Sequence, residues 1–190
     1  MSTATRHQTT IEADPTVPTV RIVREFDAPP ARVFAAFTDK DLYVRWIGPR
    51  SLTTEVGEWD ATTGGRYTFA SYRGGEPIAS FYGSFHEVRE AQRIVQTFTW
   101  DGMPDCVSLE TMTFEDVEGR TRLTGVSVLD SFGARDAMLA SGMDTGVNEG
   151  YEKLDDLLAE QGSAGQGSAE QGFAEQGSGE QRAASSDRPS

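Results

Sequence analysis

Few residues in this sequence could do chemistry together, and Glu110 is the most informative of them. In a strand-like segment, 107–115, it shares side-chain parity with Met112 and Phe114. In the segments on either side, Gln96 shares parity with Phe98 and Trp100, and Ser127 with Leu123 and Leu129. If the aromatic side of these strands is the inside, Glu110 is a buried carboxylate, and burying an unpaired charge is costly. Arg66, Arg73 or Arg122 could supply a cation, and Arg66 is the candidate for orienting a polar group beside Glu110. A carboxyl in such a place has its pKa raised, which suits it to acid–base work or to holding a polar part of a ligand. The plain alternative is a structural ion pair.

The other reactive residue types do not assemble. His7 lies near the start of the chain, and His86 has the opposite parity to Phe85, so it points to solvent. One cysteine, Cys106, and two distant histidines do not converge on a metal. Asp105 beside Cys106 keeps the thiol unreactive. Gly64-Gly65 reads as a hairpin turn and lacks the spacing of a phosphate-cradling loop. Nothing places a serine against His86 for a nucleophilic triad. No metal and no cofactor is expected.

Aromatic residues are better organised. Tyr67 pairs in parity with Phe69, Phe81 with Phe85 across Gly83, Phe98 with Trp100, and Met112 with Phe114. They either fill a core or line a hollow in which Gly83 leaves room for a ligand. Trp46, just before Gly48-Pro49, either plugs one end of that interior or gates it.

The elements that must carry these residues follow from periodicity. Segment 19–26 alternates as a strand, and DAPPARVFAAFTD gives a helix over 29–37 that starts on proline. A second short helix, capped by Thr38 or Asp39, ends near Trp46. Six strands follow, 52–60, 66–72, 78–88, 94–100, 107–115 and 121–129, separated by ATTGG, RGGEP, REAQ, DGMPD and DVEGR. Connections this short favour antiparallel neighbours. A helix over 133–140 then precedes one over 142–160. The latter carries Met143, Val147, Tyr151, Leu154 and Leu158 on one face, with Ser141 and Asp144 as a capping box. Gly142, Gly146 and Gly150 recur on that helix, for close packing or for a ligand against its backbone. The order predicts an α+β fold, one curved antiparallel sheet of six to seven strands around a long C-terminal helix.

The ends differ in composition. Residues 1–16 are polar and unpatterned, a flexible arm, and 17–160 is the folded domain. From Ala159 the chain repeats AEQGS, AGQGS, AEQGF, AEQGS, which predicts a disordered Gln/Gly/Ser/Glu tail over 161–190. Of the 190 residues 30 are acidic and 17 basic, a net charge of −13. That balance argues against nucleic acid and against an anionic membrane surface. No apolar run is long enough for a membrane span, and the first 20 residues lack a basic-then-apolar leader, so a cytoplasmic protein is expected.

Several stretches resemble a known family: FDAPPARVFAAFTD (26–39), VRWIGP (44–49), WDATTGGRYTF (59–69), GSFHEV (83–88), RIVQTFTW (93–100), EGRTRLT (118–124) and SGMDTGVNEGYEKLDDLLA (141–159). In this order they resemble the START-like, or SRPBCC, superfamily, in the bacterial branch named for the activator of the heat-shock-protein-90 ATPase. Thr62 and Thr63 stand where relatives often have Arg-Pro. The resemblance implies the helix-grip fold, with a hollow between sheet and long helix. Its functions range from lipid carriers and receptors to cyclases and chaperone cofactors, so the fold does not choose among them.

The leading expectation is therefore a binder of a small apolar or aromatic molecule. Trp46, Tyr67, Phe69, Phe81, Phe85, Phe98, Trp100, Met112, Phe114, Met138 and Met143 form its walls, and Glu110 and Arg66 orient the ligand. The second is a cyclase, dehydratase or hydrolase acting through Glu110. The third, a chaperone cofactor, comes from the family name alone. A homodimer through Val126 and Val128 is compatible with the pattern.

Overall fold

The structure, a computed structural model, describes residues 7–176, with side chains to residue 163. The chain divides into two units, Met1–Leu158 and Ala159–Ser190. The elements are β1 (Thr10–Ala13), β2 (Thr19–Phe26), α1 (Pro30–Thr38), α2 (Lys40–Trp46), β3 (Thr53–Trp59), β4 (Arg66–Arg73), β5 (Glu76–Arg89), β6 (Arg93–Trp100), β7 (Val107–Val117), β8 (Arg120–Val128), α3 (Phe132–Ala140) and α4 (Met143–Gln176).

The strands form one eight-stranded antiparallel sheet in the order β1-β2-β8-β7-β6-β5-β4-β3. Its hairpins are set by local chemistry. Between β4 and β5, Gly74 and Gly75 have φ of 60° and 89°, the left-handed pair that a tight two-residue hairpin demands. Register shifts on β3/β4, β4/β5 and β5/β6 bend the β3–β6 half of the sheet. The β2–β8 pairing joins the first long strand to the last, Thr19 opposite Val128. The connection β2–α1–α2–β3 then crosses to the far edge and closes one end of the interior.

That end is a packed core. Val33, Phe34, Ala36 and Phe37 of α1 are buried, and Leu154, Leu157 and Leu158 of α4 join the same cluster. Phe34 and Phe37 meet Phe114 edge-on at 5.4 and 5.5 Å. The last carbonyls of α1 have no intrahelical partner. Two indoles supply one: Trp46 Nε1 donates to Ala36 O at 2.8 Å, and Trp59 Nε1 to Thr38 O at 2.7 Å. Arg24, inward on β2 and 4% exposed, pairs with Asp155 of α4 and donates to Thr9 Oγ1 at 2.9 Å.

Three expectations need revision. Part of the arm over 1–16 is strand β1, an edge added to β2 from Thr10 opposite Val23 to Ala13 opposite Val20. Four residues with a single large apolar one, Ile11, give too short a pattern to see in sequence. The capping box at Ser141 does not form. Ser141 Oγ donates backwards to Met138 O at 2.6 Å, and Gly142, at φ 81°, turns the chain between α3 and α4. Finally, the backbone of 161–176 is helical where the repeat was expected to be disordered. Between its glycines the repeat is mostly Ala, Glu and Gln, which are good helix formers. The rest of that expectation, 177–190, lies outside the described residues. Among the described residues, no helix is long and apolar enough to cross a membrane.

Candidate functional site

Away from the packed end, sheet and helix separate around a cavity of about 700 Å³. The burial of α4 records the change along its length. Leu154, Leu157 and Leu158 are fully buried, whereas Met143 and Val147, two to three turns earlier, are only half-buried and line the cavity. Gly150 marks the transition: a Cβ there would sit 3.1 Å from Trp46 O, so the helix lies tight on the α2–β3 link. The walls are aromatic because the inward positions of β4, β5 and β6 are aromatic. Tyr67, Phe69, Phe81, Phe85 and Phe98 form a continuous set of ring contacts, with centroids 4.8–6.4 Å apart. Trp100, Met103, Cys106, Met138 and Met143 lie toward the open end.

One row of the floor is polar. Gln96 stands opposite Glu110 across β6 and β7, and Glu110 opposite Ser127 across β7 and β8. Glu110 Oε2 accepts from Gln96 Nε2 at 3.1 Å, while Ser108 and Ser127 hydroxyls lie 3.4 Å from Oε1. These partners are all neutral. Burial raises the pKa of Glu110, and the three hydrogen bonds only partly oppose that. Tyr43, Tyr67 and Tyr151 face the same space, and their phenols are pushed up first by burial and then by the Glu110 carboxylate. The site can thus hold a carboxylic acid in its neutral form, able to donate as well as accept.

A curved antiparallel sheet gripping a helix around an aromatic cavity invites comparison with known proteins. Residues 27–159 match the family described as Activator of Hsp90 ATPase homolog 1-like protein. The chain belongs to this family. Solved structures similar to it include a Mycobacterium smegmatis protein, 26% identical over 80% of this chain and 97% of that one, with a TM-score of 0.72. An Arthrobacter aurescens protein is 26% identical over 80% of this chain and 91% of its own, with a TM-score of 0.73. A Rhodobacter sphaeroides protein shares the fold at 24% identity, covering 80% of this chain and 99% of its own, with a TM-score of 0.74. No curated protein matches in sequence.

In this chain, most of the expected wall residues do face the cavity: Trp46, Tyr67, Phe69, Phe81, Phe85, Phe98, Trp100, Met112, Met138 and Met143, together with Glu110. Two do not. Arg66 points outward, 70% exposed, and its Nε donates to Glu58 Oε1 at 2.6 Å. The alternation of β4 requires this, since Tyr67 and Phe69 are inward. Phe114 is one step beyond the cavity, inside the packed core. Of the other arginines considered for Glu110, Arg122 pairs outward with Glu25, and Arg73 lines the open end. Gly83 leaves no room for a ligand: Tyr67 fills that space, its hydroxyl donating to Thr97 O at 2.9 Å. Trp46, 2% exposed and bonded to Ala36 O, is a fixed plug. Sequence reasoning missed Tyr43, Trp59, Ser108 and Tyr151 as wall residues. Ser108 was legible from its parity with Glu110, and Tyr151 from its helix face. Tyr43 and Trp59 owe their place to the tertiary path of α2 and β3.

Proposed function

We propose that this chain binds one small apolar or aromatic molecule in the cavity between the sheet and α4. The observation that carries the reading is unfilled volume inside an aromatic wall. The cavity measures about 700 Å³, within the range of about 300–1,000 Å³ common for small-molecule pockets. Protein interiors are otherwise close-packed, so the rings lining this space lack contacts that a ligand would provide. A cytoplasmic setting suits the single cysteine, Cys106, which has no partner in this sequence for a disulfide.

Native mass spectrometry of protein purified without added ligand, compared with the denatured mass, tests this, together with displacement of an apolar fluorescent probe. A reproducible extra mass or a displaceable probe supports it. A bare mass and no probe binding, with the protein folded, overturns it. The same spectrum reads a dimer. Leu109 and Val128 stand opposite each other and exposed on the outer face of β7 and β8, although Val126 is half-buried.

One observation favours a second reading, an enzyme of cyclase, dehydratase or hydrolase type: a half-buried carboxyl of raised pKa facing the ligand space. For it, Glu110→Gln abolishes turnover and leaves the fold intact. The chaperone-cofactor reading rests on the family description, and a pull-down at low and moderate salt decides it.

A further inference from the structure

The polar groups of the cavity divide by whether the protein itself satisfies them. Trp46, Trp59 and Tyr67 each spend their donor on a backbone carbonyl. Tyr43 and Tyr151 do not. Both are 9% exposed and line the cavity, and neither hydroxyl has a hydrogen-bond partner among the described residues. They are not orphaned buried atoms, because among the described residues the only such side-chain atom is Arg24 Nε. Their oxygens are therefore accessible, on residues that line the cavity.

These hydroxyls come from two elements, α2 and α4, and both sense the carboxyl of Glu110 on β7. That carboxyl is loosely held. Two of its three contacts are at 3.4 Å, near the limit for a hydrogen bond, so its bonding capacity is not used up. The charge around it is sparse. The ionisable side chains lining the cavity besides the tyrosines are Arg73, Cys106, Glu110 and Glu149. Arg73 ends β4 at the open end, and Glu149 accepts from the Arg50 amide at 2.6 Å. Arg24, the buried cation, is committed to Asp155.

We propose that Glu110 and Gln96 on the floor, with the hydroxyls of Tyr43 and Tyr151 above, form a recognition station. It takes the oxygen-bearing end of an uncharged ligand, a phenol, enol or ketone on an apolar ring system, and rejects carboxylates. The station deepens the cavity-binding reading and rests on it. A neutral ligand oxygen both completes the two tyrosines and shares the Glu110 carboxyl, whereas a carboxylate would be desolvated among aromatic walls with no cation beside the station to offset that cost. Burial favours the neutral Glu110, which then carries a proton to donate to a ketone or phenol oxygen.

The test is a matched set of probes of one size, naphthalene, 2-naphthol and 2-naphthoate, titrated against the full chain near neutral pH. Quenching of tryptophan emission is the readout. The station predicts 2-naphthol binding about tenfold more tightly than either of the others, the worth of one well-made hydrogen bond. Glu110→Leu and the double variant Tyr43→Phe with Tyr151→Phe should each bring 2-naphthol down to naphthalene. In both, the readout is the ratio of 2-naphthol to naphthalene affinity, which falls from about ten to about one. The tyrosine pair loses only oxygen atoms, so it remains a test if the leucine variant misfolds. Equal binding of all three probes, or naphthoate matching naphthol, overturns the station and leaves the apolar cavity standing. No binding of any probe to folded protein overturns the cavity, and the station with it.

Discussion

At the scale of single residues, two side chains show how much depends on parity. Glu110 was assigned inward because Met112 and Phe114 are, and that is where it lies. Arg66 was offered as its partner against the same rule, and it faces solvent. Alternation was enough to place both. What it could not supply was the identity of the neutral partners, because cross-strand register decides them. The raised pKa of Glu110 has a consequence for stability. The folded state holds this proton to higher pH than the unfolded chain does, so the contribution is complete below the ordinary carboxylate range. It is lost as pH rises through the raised value. Denaturation midpoints measured from about pH 5 to about pH 8 should therefore fall more steeply for the native chain than for Glu110→Gln. Gly83 offers a second check. A Cβ there would lie 2.0 Å from Thr97 O and 2.7 Å from the Tyr67 hydroxyl. Gly83→Ala should cost about 2–4 kcal/mol, read from urea unfolding.

At the scale of elements, α3 stands apart. None of its residues is buried, yet Ala137 and Met138 line the cavity. It is held at its start by the Ser131 cap, which accepts from the Ala134 amide at 3.1 Å. Arg135 adds a bond to Asp14 O at 2.5 Å, and the left-handed Gly142 ends it. Elements with few buried contacts open most readily. Amide exchange along α3 should be fast in the free protein and slow several-fold when a probe fills the cavity. The buried face of α1 should be protected in both states. Equal exchange in α3 with and without probe would mean that ligand passes elsewhere. The existence of α3 was legible from its helical spacing. Its lack of burial was not, because sequence shows which residues could pack and not whether a neighbour arrives.

At the scale of the whole molecule, the alternating strands and the long apolar helix face identified the architecture, since few layer arrangements satisfy that order. Cavity against filled core could not be read, because the same aromatic pattern serves both. The cavity itself, with the half-burial of Met143 and Val147 along it, separates them. The unit Met1–Leu158 contains its own core, so a chain ending after Glu160 should keep its Tm within about 2 °C and its probe affinity unchanged. A larger loss by calorimetry would assign the repeat a structural role. The pairing of β2 with β8 also bears on how the chain reaches this state. Thr19 finds Val128 about a hundred residues later, so a central ladder of the sheet closes only after a long loop has been drawn together. On the ribosome, β2 therefore waits with the edge that meets β8 unpaired until nearly the whole domain has emerged.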